Sequence, residues 1–114
     1  MAKFTLIVQS SASNQKRSLD ALTFAKSALE KGHEIACLFF YRQAVDHAIA
    51  QTSAENEALI QQWSDFKNQS GIPLVVCHTV AERMGIDEFH PSFEATGLTA
   101  LSKAIATSDR TLQF

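Results

Sequence analysis

The sequence predicts an α/β sandwich, a mostly parallel sheet held between layers of helix, on three observations. Short runs of β-branched and aromatic residues alternate with longer segments whose apolar residues recur at helical spacing. One of those runs, Ile35 to Phe40, is apolar at every position, the pattern of a strand covered on both faces. Parallel neighbours need crossover connections, and right-handed crossovers lay the intervening helices on the faces of the sheet.

The elements follow in order. Lys3 to Gln9, with Phe4, Thr5, Ile7 and Val8, is the first strand. The polar stretch Ser10 to Gln15 breaks it, after which Leu19, Leu22, Ala25 and Leu29 mark a helix that Gly32 stops. Glu34 to Tyr41 is the second strand. Thr52 and Glu55 have the spacing of a capping box, and Leu59, Ile60, Trp63 and Phe66 stripe the helix behind it. Gly71 and Pro73 punctuate the chain before Leu74-Val75-Val76-Cys77, the third strand. Thr79 and Glu82 repeat the capping-box spacing at the head of a short helix ending near Gly85, and Asp87 to Pro91 is loop. Leu98, Leu101 and Ile105 give a last helix, and Arg110 to Phe114 a fourth strand. The expected strand order is flavodoxin-like, 2-1-3-4, with reactive groups gathered beyond the carboxyl ends of the strands. That edge holds the Ser10 to Asn14 loop, Tyr41 with Arg42, and Cys77.

At 114 residues the chain is expected to be one domain, residues 1–114. With 46% hydrophobic and 19% charged residues, it has the composition of a folded globule rather than a disordered segment. A formal net charge of -2, and no basic run longer than Lys16-Arg17, gives no field suited to a phosphate backbone, so direct nucleic-acid binding is not expected. Met1-Ala2-Lys3 and the short apolar run behind it do not make a signal peptide, and no stretch approaches membrane-spanning length. The cytoplasm is the expected location, where Cys37 and Cys77 are thiols rather than a bridge.

Cys77 closes the third strand at the head of a helix, where unpaired backbone N–H groups and the macrodipole favour an anion. A thiolate is such an anion, and a cysteine so placed can attack a persulfide and pass the sulfur on with no metal or organic cofactor. Set beside this is the plain reading of Cys77 as a small buried hydrophobe at a strand end, and from position alone both stand. Cys37, inside the apolar second strand, is read as an inert buried thiol. Arg42 sits where it can steady a thiolate or receive an acidic partner, or else is a solvated charge. His33, His47, His78 and His90 lack metal-ligand spacing, and there is no Cys-x-x-Cys pair, so no metal site is expected. His78 adjoins Cys77, but consecutive helical residues do not face each other, which makes it a surface residue at the edge of the site. Asp46, Asp65, Asp87 and Asp109 are scattered and are read as solvated.

Four segments in this order and spacing resemble one family: Phe39-Phe40-Tyr41-Arg42; Leu74-Val75-Val76-Cys77 with Glu82-Arg83-Met84-Gly85 behind it; Thr96 to Leu101; and Asp109 to Phe114. Together they make the chain similar, essentially end to end, to the TusD branch of the DsrE family of sulfurtransferases. The resemblance implies a DsrE-like three-layer α/β/α fold and a persulfide-carrying cysteine at Cys77. It also implies assembly with TusB-like and TusC-like paralogues into a heterohexamer. Sulfur would come from an upstream persulfide donor and go to a TusE or DsrC-type acceptor, on the way to tRNA 2-thiouridine; DsrE relatives serve sulfur oxidation instead. The chain departs from the family where the first loop lacks glycine and where His78 and Thr79 stand in place of small residues. On this reading Ser10, Ser11, Ser13, Tyr41, Arg42 and His78 border the site. Two other readings are set against it: a flavodoxin-like module holding FMN or phosphate at the first helix, and a purely structural subunit.

Overall fold

The computed structural model describes residues 1–49 and 54–114, so the Thr52 capping box lies outside the described residues. Its strands are β1 (Lys3–Val8), β2 (Glu34–Phe40), β3 (Leu74–Cys77), β4 (Phe93–Thr96) and β5 (Arg110–Gln113). They form one five-stranded sheet in the order β4-β3-β2-β1-β5, and every pairing is parallel. Helix α1 (Gln15–Glu30) joins β1 to β2, and a 3₁₀ helix (Arg42–Ala48) followed by α2 (Ala54–Ser70) joins β2 to β3. Helix α3 (His78–Arg83) leads to β4 and α4 (Leu98–Thr107) to β5.

The α/β class stands as expected, but the strand order does not. In the order 2-1-3-4 the second strand lies at an edge; here β2 is flanked by β1 and β3, with Leu38, Phe39 and Phe40 opposite Leu74, Val75 and Val76. The reason is in β2 itself. All three of those residues are fully buried, although successive side chains point to opposite faces. Such a strand needs a neighbour on each side and cover on each face, which only an interior position supplies.

Three crossovers, from β1 to β4, step in one direction, and right-handedness lays α1, α2 and α3 on one face. The fourth reverses past β1 to reach β5, which carries α4 to the other face, where it packs over β1 and β2. Helix α1 meets its layer with Ser18, Ala21, Leu22, Ala25 and Ala28, a stripe of mostly small residues that lets it lie close to the sheet and α2. It ends at Gly32, whose φ of 84° turns the chain so that the His33 N–H donates to the Ala28 carbonyl at 2.9 Å.

Two further differences are local. Strand β4 falls where no strand was expected, because Glu94 and Ala95 are poor strand formers and only Phe93 of its four residues is buried. The Thr79 capping box does not form: β3 runs straight into α3, Cys77 holds the N-cap position, and no side chain caps that helix.

Phe40 is the hub of the core on the α2 side. Its ring lies 4.9 Å from His47, 5.1 Å from Trp63 and 5.2 Å from Phe93, linking β2, the 3₁₀ helix, α2 and β4. Phe40→Ala is expected to cost about 4 kcal/mol, combining lost burial with a cavity that these rings cannot close. Urea denaturation checks it, and a loss below about 1 kcal/mol would mean the cluster repacks freely.

Candidate functional site

The carboxyl ends of β3 and β4 part company, because β3 feeds α3 on one face and β4 feeds α4 on the other. Such a divergence opens a crevice at the sheet edge. Cys77 and Thr96 are register partners there, each the last residue of its strand. Cys77 is recessed, with 1% of its surface exposed. As the N-cap of α3 it stands beside first-turn backbone N–H groups that no side chain caps.

A cavity of about 580 Å³ opens beyond the carboxyl ends of the strands, and Cys77 is not among the residues that line it. Ser11 and Ser13 line it from the β1–α1 loop, Arg42, Gln43 and Asp46 from the 3₁₀ helix, and Val80 and Met84 from α3 and the residue after it. The structure thus brings together Ser11, Ser13 and Arg42 of the sequence-derived set, with Cys77 at the start of the helix that forms the third wall. Tyr41 is half-buried and does not line the cavity, its ring 6.3 Å from Phe39 and 5.9 Å from the Arg42 guanidinium carbon. Ser10 is half-buried in the β1–α1 loop and does not line the cavity. His78 lies along α3 with Nε2 3.5 Å from a Glu82 carboxylate oxygen, exposed and likewise outside the cavity lining.

Arg42 holds a φ of 54°, the single positive value outside glycine among the described residues. A side chain in that region strains its own backbone by roughly 1–2 kcal/mol, so the surrounding structure must impose it. The consequence is a sharp turn from β2 into the 3₁₀ helix that keeps a cation at the cavity mouth.

Asp46 corrects the sequence reading, which took it for a solvated charge. One carboxylate oxygen accepts the Ala12 N–H at 2.8 Å, the other accepts the Ser11 hydroxyl, and the His47 ring nitrogen lies 3.5 Å away. Burial pushes the carboxyl up, but the His47, Ser11 and Ala12 contacts outweigh it and hold Asp46 below the ordinary aspartate range. An ionised carboxylate in this wall repels a phosphate, which counts against the flavin or phosphate reading. The sequence could not reveal Asp46, because its value comes from a loop more than thirty residues away.

A depressed carboxyl stabilises the fold above its unfolded value of about 3.9 and loses that contribution as pH falls through the folded value. Asp46→Asn is therefore expected to be less stable than wild type at pH 6 by about 1 kcal/mol, with the gap narrowing toward pH 3. Urea titrations at several pH values test this, and a pH-independent gap would show that the charge is not what holds the loop.

Cys37 is less buried than the sequence suggested. Half-buried in β2, it has its thiol pushed up to about 11 by burial. At pH 8 its alkylation by iodoacetamide should run about 100-fold slower than that of a free thiol, as the smaller thiolate fraction dictates. Labelling of Cys37 at the rate of free cysteine would refute that burial. Among the described residues, no group of three His, Cys, Asp or Glu side chains is placed to hold a metal ion.

The fold and site define a class: parallel α/β proteins that keep a cysteine where the sheet connections diverge. Within that class the chain belongs to the DsrE/DsrF-like family, whose family model matches residues 2–114. It is 32% identical to Sulfurtransferase TusD of Klebsiella pneumoniae strain 342, covering 98% of this chain and 99% of that one. It is 34% identical to Sulfurtransferase TusD of Salmonella newport over the same shares. Among solved structures, the ychN protein of E. coli superposes with a TM-score of 0.81 over 100% of both chains at 21% identity, a likeness of fold.

Proposed function

We propose that this chain is a sulfur-relay sulfurtransferase in which Cys77 carries sulfane sulfur as a persulfide. The observation that carries the reading is the position of Cys77, at the diverging carboxyl ends of β3 and β4, in a chain similar end to end to sulfurtransferases named TusD. The Cys77 thiolate attacks the terminal sulfur of a donor persulfide, R–S–SH. A new S–S bond forms to Cys77, the donor S–S bond breaks, and the donor leaves as its thiolate. In the second half an acceptor thiolate attacks the terminal sulfur of Cys77–S–SH, and Cys77 leaves as thiolate, ready for another turn. No net oxidation occurs in either half, so no redox cofactor enters.

The surroundings suit this chemistry. The first-turn N–H groups of α3, which no side chain caps, stand beside Cys77 at the N-cap position. Arg42 supplies a cation at the mouth of the neighbouring cavity, where an acidic donor or acceptor segment would dock. Ser11, Ser13 and Tyr41 form the polar edge of that dock. The acceptor in this reading is a TusE or DsrC-type carrier, and the end use is tRNA 2-thiouridine synthesis in the cytoplasm. Among the described residues no helix is long and apolar enough to cross a membrane. Assembly with TusB-like and TusC-like paralogues is supported by Leu98 and Ile105, two turns apart on α4 and more than 40% exposed.

Intact-mass spectrometry tests the reading, with wild type and Cys77→Ser each incubated with a cysteine desulfurase, cysteine and an upstream carrier. Wild type should gain about 32 Da, one sulfur atom, removable by reductant and mapping to Cys77. Cys77→Ser should gain nothing. Absence of the addition from wild type, with the donor shown to be loaded, would leave Cys77 a small buried hydrophobe and end the proposal.

A further inference from the structure

A buried polar chain joins three elements, the 3₁₀ helix, α1 and α2. His47 of the 3₁₀ helix is 1% exposed and Ser18 of α1 is fully buried, as is Trp63 of α2. His47 Nδ1 lies 2.7 Å from the Ala44 carbonyl oxygen, and Nε2 lies 2.8 Å from Ser18 Oγ. Trp63 Nε1 lies 2.9 Å from the same Ser18 oxygen. The chemistry of the donors fixes the protons. A carbonyl only accepts, so Nδ1 carries hydrogen; in the neutral ring Nε2 is then an acceptor, and Ser18, which accepts from the Trp63 indole, donates its hydroxyl hydrogen bond to it. One neutral tautomer of His47 satisfies every member.

The chain lies one residue from Asp46, which holds Ser11 and Ala12, and on the same short helix as Arg42. A 3₁₀ helix of seven residues is longer than its poor hydrogen-bond geometry sustains alone, and this one starts from a strained Arg42. Its place must be set from outside. Phe40 supplies an apolar floor 4.9 Å from the His47 ring, but an apolar contact does not fix rotation or register. The bond to Ser18 does, because it ties the helix to a named point on α1, and the β1–α1 loop forms the opposite wall of the cavity.

We propose that His47 is a positioning residue for the carboxyl-edge site: through Ala44 and Ser18 it fixes the 3₁₀ helix so that Asp46 and Arg42 hold the cavity wall. Its consequence for sulfur transfer, an ordered dock for the donor, rests on the relay reading above; the positioning itself does not.

Two readouts on the full chain separate these. The first is amide hydrogen exchange of Ala12, whose N–H is bonded to Asp46, followed by NMR. Ser18→Ala removes the link while leaving the Trp63 ring in place, and Trp63→Phe removes the other donor while leaving the Ser18–His47 bond. Ser18→Ala and His47→Leu should speed Ala12 exchange about tenfold relative to core sheet amides, the worth of one buried hydrogen bond. Trp63→Phe should not, even where it lowers global stability as much, and His47→Gln, which still offers Ser18 an acceptor, should restore much of the protection. Equal effects from Ser18→Ala and Trp63→Phe, or wild-type exchange in Ser18→Ala, would make His47 ordinary core and overturn the proposal. Should His47→Leu not fold, the Ser18→Ala and Trp63→Phe pair decides alone.

The second readout is uptake of sulfur by Cys77 from glutathione persulfide. Ser18→Ala should raise KM about tenfold with kcat changed less than about threefold, the signature of lost docking rather than lost chemistry. Faster Ala12 exchange with KM unmoved would overturn the role in transfer. Failure of wild type to take up sulfur would fell the relay reading, and Ala12 exchange would still decide for or against His47.

Discussion

The structure depends first on the burial of β2 on both faces. Leu38, Phe39 and Phe40 are sealed from water, although adjacent strand residues face opposite ways. That forces helices onto both sides of the sheet and strands onto both sides of β2. With α1, α2 and α3 committed to one face by right-handed crossovers, cover for the other must come from a connection running the opposite way. Helix α4 is that connection, and its reversal parts the carboxyl ends of β3 and β4 where Cys77 stands. The setting of Cys77 is thus a consequence of how an apolar central strand gets covered.

The same strand sets the chemistry of the edge. β2 ends at Phe40, and two residues later the chain turns through the positive φ of Arg42 into the 3₁₀ helix. Local strain there is held by contacts behind it, the Phe40 ring against His47 and the hydrogen bonds from His47 to Ala44 and Ser18. In front, Asp46 secures the first loop by taking a hydroxyl and an amide. Apolar packing fixes where the helix lies and the polar bonds fix how it is turned, a division that follows from hydrogen bonds being directional and apolar contacts not.

Much of this was legible in sequence. Lys3 to Val8, Glu34 to Phe40 and Leu74 to Cys77 announce themselves through β-prone runs bounded by breakers, and Cys77 was visible as the residue between a strand and a helix. The strand order was in principle legible too: an all-apolar second strand argues for an interior place, and the flavodoxin-like order, which puts it at an edge, overrode that argument. Strand β4 was hidden because Glu94 and Ala95 carry no strand signal, its pairing being set by β3 next to it. Asp46 and His47 were illegible for a different reason. Nothing in Ala44-Val45-Asp46-His47 distinguishes a solvated charge from an anchored one; their partners Ser11 and Ser18 become neighbours only once α1 and the 3₁₀ helix share a face.

The recessed setting of Cys77 bears on why a relay would keep its cysteine this way. At 1% exposure the thiol has little contact with water or dissolved oxidants, the conditions under which exposed thiolates climb the oxidation ladder. A persulfide differs from a thiol by one atom placed about 2 Å farther out along the S–S bond. On the relay reading, loading therefore sets the transferable sulfur one bond length beyond the carrier atom, which stays sheltered. On the same reading a buried carrier narrows the choice of partner, because an acceptor must bring its own thiolate to a residue with almost no exposed surface. On the relay reading, partner choice would rest with the cavity wall of Ser11, Arg42 and Asp46 and the sulfur chemistry with Cys77, two separate parts of the fold.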